Sequence, residues 1–427
     1  MRAKDVVSSR SGGYIAAIHD KGFTIYGGSK ISKISDFSHP MCNAVKFSSN
    51  ETYACSYNGV SDRLLRNGHE NMIVWNVITG ERLRTFKCTN ESTFEMFDWS
   101  FDEKFAAAII TNNNEDTFLC IYDADTMNIT EDKDGKKRPV QVEQPRAFAW
   151  ANFKNHLAFQ CFSIRETVEY SQAGIVDADQ KEQYQWIDQG CVIHSVKMKW
   201  EEKDKFVTFA LDCSTKKREI VLQVGVINLR NQSVDVNIET LSPDEKHTVN
   251  GVFIDDLGRN VAFFVTRGVL TDNKTMIKQT NFCDYFKIKH SNKTNSLEIK
   301  KTMELISAEF KSVIWSKIED IFIFKSNHDL AFGKFKGLPS KKRTKINIPL
   351  PVSKKGKGGK GKKGAKQPKK VVPPTPIEDT LVGIRVEFPI SSDTQVEFDS
   401  TGRYITCYQP DIQKLSVYNA FGLRRIV

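Results

Sequence analysis

The chain has 427 residues, 40% of them hydrophobic and 11% aromatic, enough for two ordinary domains or for one large all-β domain with a sizeable core. The opening MRAKDVVSSRSGG leads into no apolar run, and nowhere do eighteen apolar residues follow one another, so neither a secretory leader nor a membrane-spanning helix is expected and a cytoplasmic location is. Between Lys334 and Lys370 there are fifteen Lys and Arg and no acid; subtracting fifteen from the net charge of +10 leaves −5, so the remaining body is mildly acidic rather than a basic, nucleic-acid-coating surface.

One element recurs along the chain: a short apolar strand ending in a bulky residue, a polar turn, then a second apolar strand. Its first copy is degenerate, with only Gly12-Gly13-Tyr14-Ile15-Ala16 legible. Val45-Lys46-Phe47 then leads through Ser48-Ser49-Asn50-Glu51-Thr52 to Tyr53-Ala54-Cys55. Met72-Ile73-Val74-Trp75-Asn76 and Thr79-Gly80-Glu81-Arg82-Leu83-Arg84-Thr85-Phe86 read as the Trp-Asp strand and outer strand of a WD40 blade, with Asn in place of Asp. Phe97-Asp98-Trp99 leads to Phe105, Trp150 to His156-Leu157, Met198-Lys199-Trp200 to Phe206, Ile254 to Val261, Trp315 to Ile321, and Val396-Glu397-Phe398 to Tyr404. Alternating apolar residues make half-buried strands, and the Asn, Asp, Gly and Ser between them make hairpin turns. The anchors Phe47, Trp99, Trp150, Trp200 and Ile254 stand 50 to 54 positions apart, and the next two steps are 61 and 83. That period suits a four-stranded blade, so the expectation is an all-β, WD40-type β-propeller of eight or nine four-stranded blades, forming one domain over residues 1–427. The recurring tryptophans are expected to pack between blades rather than to cage a ligand.

The long last step contains Ser353-Lys354-Lys355-Gly356-Lys357-Gly358-Gly359-Lys360-Gly361-Lys362-Lys363, continuing through Lys366, Lys369 and Lys370 into Pro373-Pro374-Thr375-Pro376. It has no apolar pattern, so residues 353–376 are expected to be a disordered insertion in a late blade. Gly356 to Lys362 fits G-x-x-x-x-G-K, but Lys363 stands where a phosphate-binding loop needs Ser or Thr for magnesium, and no strand leads in. The reading is a flexible tether in which Lys354, Lys355, Lys357, Lys360, Lys362, Lys363, Lys366, Lys369 and Lys370 contact RNA phosphates without sequence preference, there being no interleaved aromatics to stack on bases.

Catalytic signatures are missing: there is no H-E-x-x-H and no G-x-S-x-G, and the eight histidines have no metal-ligand spacing. His39 and His19 read as structural, and the acid pairs Glu201-Glu202 and Asp255-Asp256 as solvated turn residues. The nine cysteines lack C-x-x-C spacing and read as small buried hydrophobes of a reducing compartment. No enzyme activity, cofactor, metal or small-molecule substrate is expected.

Gly13-Tyr14-Ile15-Ala16-Ala17-Ile18-His19-Asp20-Lys21-Gly22-Phe23-Thr24-Ile25-Tyr26-Gly27-Gly28, Phe37-Ser38-His39-Pro40, the strand Met72-Ile73-Val74-Trp75-Asn76 and the run from Val396 to Tyr404 followed by Tyr418-Asn419-Ala420-Phe421-Gly422 resemble the b subunit of eukaryotic translation initiation factor three. The likeness is specific over about residues 12–110 and 394–427 and a matter of pattern between them. It implies a nine-bladed propeller and a non-catalytic scaffold of that factor. The implied partners are the other subunits, including a, g and i, and the proteins and RNA of the small (40S) ribosomal subunit, during mRNA recruitment and scanning. The family's RNA-recognition motif and its helices beyond the propeller have no counterpart in these 427 residues, so the expectation is a compact, divergent, propeller-only member or a longer member trimmed to its propeller. An initiation factor 2A-like propeller and a generic WD40 adaptor of a ubiquitin ligase or signalling complex are the alternatives; the paired Gly27 and Gly28 and the Phe-Ser-His-Pro run favour the initiation factor three family.

Overall fold

The computed structural model describes residues 3–59, 71–87, 94–111, 117–130, 144–165, 168–180, 182–187, 191–215, 219–229, 233–241, 245–270, 276–290, 295–305, 311–316, 321–326, 329–336, 380–391, 393–399, 404–419 and 424–425. These form eight antiparallel sheets, each made of strands that follow one another in the chain. Contacts divide the chain into two units, Met1–Ser307 with six sheets and Ala308–Val427 with two.

In the first unit, sheet 1 comprises Asp5–Ser8, Tyr14–His19, Gly22–Gly27 and Ser32–Ser38; sheet 2 comprises Ala44–Phe47, Tyr53–Tyr57, Met72–Asn76 and Arg82–Phe86. Sheet 3 has three strands among the described residues, Asp98–Trp99, Phe105–Thr111 and Thr117–Asp123. Sheet 4 runs through Pro145–Trp150, His156–Arg165, Val168–Asp177 and Glu182–Ile187, and sheet 5 through Cys191–Trp200, Phe206–Thr215, Ile220–Asn228 and Ser233–Thr240. Sheet 6 has the longest strands, Glu245–Ile254, Asn260–Leu270, Met276–His290 and Asn295–Leu305.

Period-2 side-chain alternation explains why these strands are apolar on both faces. In sheet 2, Tyr53, Cys55, Tyr57, Met72 and Val74 pack into one core with Phe97, Trp99 and Tyr122 of sheet 3. The alternate residues Ala54, Ile73 and Trp75 pack into another core with Ala16, Phe23 and Phe37 of sheet 1. Each interior sheet is thus buried between two neighbours, as propeller blades are. First strands of successive sheets touch between sheets 4 and 5 and between sheets 5 and 6, forming the hub of this unit.

The second unit holds sheet 7 (Ser312–Trp315, Ile321–Lys325, Asp329–Lys336, Thr380–Pro389) and sheet 8 (Gln395–Phe398, Tyr404–Gln409, Lys414–Asn419, Arg424–Arg425) around Ile323, Leu330, Val396, Ile405, Cys407 and Tyr418. The chain's fold is the expected WD40-type β-propeller architecture, with eight sheets among the described residues rather than the nine that the family resemblance implies. Strands Asp329–Lys336 and Thr380–Pro389 pair directly although 43 residues separate them. The lysine-rich run therefore interrupts a single sheet in sequence, and residues 353–376 themselves lie outside the described residues.

Candidate interaction surface

Seven sheets share one turn between their first and second strands. The N–H of Ser9, Ser48, Ser100, Ala151, Glu201, Asp255 and Asp399 donates to the carbonyl five residues on, at 2.9–3.0 Å. In five of them the third residue after that donor adopts positive φ: Gly12 (77°), Glu51 (70°), Glu103 (59°), Asp204 (52°) and Gly258 (63°). Glycine is the residue that takes this conformation without steric cost, and an L-residue there carries a penalty of about 1–2 kcal/mol. The three acids that accept it each cap the preceding blade. Glu51 Oε1 receives the N–H of Ser11 at 2.9 Å, Glu103 Oε1 receives that of Asn50, and Asp204 receives those of Asn152 at 2.7 Å and Phe153 at 2.6 Å. Ser11, Asn50 and Phe153 occupy the same place, two residues into their turns. Charge-assisted hydrogen bonds of this kind offset the backbone strain and couple each turn to its neighbour. Gly13 leaves room for this contact: a Cβ there would lie 2.8 Å from Glu51 Oε2.

Other polar contacts continue the series. Asn155 Nδ2 bridges Asp102 at 3.0 Å and Asp179 at 2.9 Å, and Lys104 Nζ pairs with Asp179 at 2.6 Å. The Arg259 guanidinium of sheet 6 reaches Glu201 Oε1 of sheet 5 at 2.8 Å. Glu201 and Asp255 are both buried, which corrects the reading of them as solvated turn acids; only Glu202 and Asp256 of the two pairs are exposed. Burial opposes ionisation of Glu201, but Arg259 and the Lys203 N–H outweigh it and hold the carboxyl below its usual range. At Asp255 burial wins and raises the pKa, against hydrogen bonds from the N–H groups of Asn260 and Arg259.

The junction of sheets 1 and 2 carries a buried relay. Trp75 Nε1 donates to Ser56 Oγ at 2.8 Å, Ser56 Oγ meets His39 Nδ1 at 2.7 Å, and His39 Nε2 meets Asn58 Nδ2 at 3.1 Å. With Asn58 as donor on Nε2, the neutral ring carries its proton on Nδ1. Desolvation, then the charge of Arg82, pushes the His39 pKa down to about 4. His39 is therefore structural, as its sequence context suggests. The tryptophan anchors behave likewise: Trp99 stacks on Tyr53 of sheet 2, Trp150 Nε1 donates to the Asp98 carbonyl of sheet 3 at 3.2 Å, and Trp200 Nε1 donates to the Ala149 carbonyl of sheet 4 at 2.8 Å.

Among the described residues little is arranged to act chemically. His194 Nε2 lies 3.0 Å from Ser214 Oγ, a nucleophile–base distance, but the carboxylate that should orient such a histidine, Asp212, takes the Ser195 hydroxyl instead. Among the described residues no group of three or more His, Cys, Asp or Glu is arranged to hold a metal. Cys42, Cys55, Cys120, Cys161, Cys213, Cys283 and Cys407 are buried and outside any disulfide, and burial raises the thiols of Cys42 and Cys120 to about 11. No described helix is long and apolar enough to cross a membrane. The nine lysines expected to meet RNA, Lys354 to Lys370, all lie outside the described residues. What sequence reasoning missed is the row of capping acids; its signal is an acid at the turn position where Gly12, Gly258 and Gly402 stand in other copies.

No family model matches the sequence. The B subunit of eukaryotic translation initiation factor 3 from Xenopus laevis is 28% identical over 151 residues, covering 35% of this chain and 20% of that protein. The Aspergillus niger protein of the same name is 22% identical over 339 residues, 72% of this chain and 44% of that one. The chain thus spans between a fifth and under half the length of these curated relatives. A crystal structure described as that of the eukaryotic initiation factor superposes over 100% of this chain and 87% of its own with a TM-score of 0.61 at 12% identity, a likeness of fold. In sequence the chain is thus similar to the B subunit of eukaryotic translation initiation factor 3 over part of that protein, and its fold is that of the initiation-factor structure.

Proposed function

We propose that the chain is a non-catalytic scaffold subunit of translation initiation factor three. In this reading it works in the cytoplasm, binding the 40S subunit and other subunits of the factor, including a, g and i, during mRNA recruitment and scanning. The observation that carries the reading is the sequence match to the factor's B subunit, supported by a site inventory of turns locked to turns rather than of reactive groups. A rigid face of this kind presents loops in fixed register, which suits multi-partner docking. The run of lysines from Lys354 to Lys370 serves as an auxiliary electrostatic tether to ribosomal RNA, its charge meeting phosphates without sequence preference. Reconstitution tests the scaffold role: the purified chain is mixed with the a, g and i subunits and resolved by size-exclusion chromatography. Co-elution with at least one subunit is the expected result. Failure to co-elute with any of them contradicts membership of the factor and favours a generic WD40 adaptor.

A further inference from the structure

Sheets 4, 5 and 6 depart from the earlier blades in two linked ways. Their second strands run 10, 10 and 11 residues, against 5 in sheet 2 and 7 in sheet 3. At about 3.3 Å per residue the extra length carries these sheets roughly 10–20 Å further along the strand direction. Each first strand also contains a β-bulge where that extension begins. Pairing skips Arg146 between Pro145 and Ala147, His194 between Ile193 and Ser195, and Asn250 between Val249 and Gly251. A bulge re-aims the side chain of its unpaired residue, and bulges concentrate beside functional sites.

All three unpaired residues are polar, exposed and able to donate hydrogen bonds. The three first strands are consecutive neighbours at the hub. Hydroxyls on the second strands fix two of the side chains: Ser214 Oγ meets His194 Nε2 at 3.0 Å, and Thr266 Oγ1 accepts from Asn250 Nδ2 at 2.7 Å. Lys197, on the same first strand as His194, is exposed, and among the described residues neither it nor Arg146 meets a carboxylate. The described side chains of these three strands include the cations Arg146, Lys197 and Lys199 and no acid. Lys199 is tied to Asp256 at 3.6 Å, and the buried carboxylate of Asp212, on the strand paired with that of His194, accepts the Ser195 hydroxyl. By contrast the turn end of the same sheets is lined with acids.

We propose that the bulged hub of sheets 4–6 binds the phosphodiester backbone of single-stranded RNA through Arg146, His194, Lys197 and Asn250. Arg146 and Lys197 supply charge, and His194 and Asn250 supply oriented hydrogen bonds. This site is separate from the lysine tether and stands whether or not the chain joins initiation factor three.

The test uses the full chain and a fluorescein-labelled 12-nucleotide oligouridylate, read by anisotropy over a salt series. The double variant R146A/K197A is compared with K154A/K203A, which removes the same charge from exposed lysines of the turn end. R146A/K197A is expected to weaken binding about tenfold and to lower the slope of log K against log salt by about 1.4, two phosphates at about 0.7 each, with K154A/K203A unchanged. N250A is expected to weaken binding severalfold without changing that slope. Repeating the comparison with the lysines from Lys354 to Lys370 changed to glutamine removes the tether's contribution and leaves the hub effect. Equal losses in the two double variants, no loss in R146A/K197A, or equally tight capture of a polyglutamate probe would each overturn the proposal.

Discussion

Sheets 1–3 and sheets 4–6 are made from the same repeat and solve inter-blade packing by different means. The early sheets have short strands and a largely aromatic seam, with Trp75 set edge-on to Phe23 and Phe37 at 6.2 and 5.5 Å and Trp99 edge-on to Phe97 at 4.8 Å. The later sheets have long strands and buried polar groups among them: Gln160, Gln172, Asp212, Gln223, Thr266 and Asp284 are all almost fully buried. Asp284 is paired with Arg267 at 3.1 Å. Lengthening a blade extends its inter-blade face beyond the aromatic layer, and a buried polar group there is stable only when hydrogen-bonded. The anchor-and-turn end of the repeat is fixed across the unit, while the opposite end is free to vary and is where distinct function is to be sought.

Three sets of substitutions break or sharpen that contrast. The largest effect belongs to the anchors, which are shared: Trp99→Ala and Trp200→Ala should each cost about 3–5 kcal/mol in urea unfolding. A loss at Trp200 below about 1 kcal/mol would mean that the later sheets do not depend on the common anchor.

The His39 relay comes next and is confined to the early sheets. Its folded pKa of about 4 lies below the ordinary histidine value of 6.5, so the unfolded chain binds the extra proton. The neutral-histidine fold is fully stable above pH 6.5, and stability falls as pH drops from 6.5 toward 4, by up to about 3 kcal/mol over that window. His39→Gln keeps a hydrogen-bonding side chain and cannot titrate, so its unfolding midpoint should vary less with pH between 6.5 and 4. An unchanged pH profile would refute the assignment.

The capping acids give the smallest change. Asp204→Ala should cost about 2 kcal/mol, because it leaves the Asn152 and Phe153 N–H groups without their acceptor and keeps a Cβ at positive φ. Asp204→Gly removes the same acceptor but relieves the backbone, so it should be milder by about 1 kcal/mol. If the two variants are equal in thermal unfolding, φ strain at this turn is not a factor.

Much of the fold was legible in the sequence, and for a physical reason. Aromatics six positions apart around a Ser/Asp/Asn turn encode two strands and the hairpin between them, so Phe47 with Tyr53, Trp99 with Phe105 and Trp200 with Phe206 located the blades directly. Local chemistry of that kind needs no knowledge of partners. The capping acids were hidden because their carboxylates serve a turn 40 to 53 residues earlier in the chain, and Glu201 looks the same in sequence whether solvated or buried beneath Arg259. The bulges at Arg146, His194 and Asn250 were hidden because a bulge is a property of two strands in register, and the register is set by the partner strand.

The central claim is tested most directly by co-sedimentation of the chain with purified 40S subunits on sucrose gradients, with and without residues 353–370 and at two salt concentrations. The account predicts that the chain sediments with 40S, and that the deleted form still does so with a weaker, less salt-dependent association, the propeller making the main contact and the tether assisting. Absence of both forms from the 40S fractions, even with the other factor subunits supplied, would contradict it.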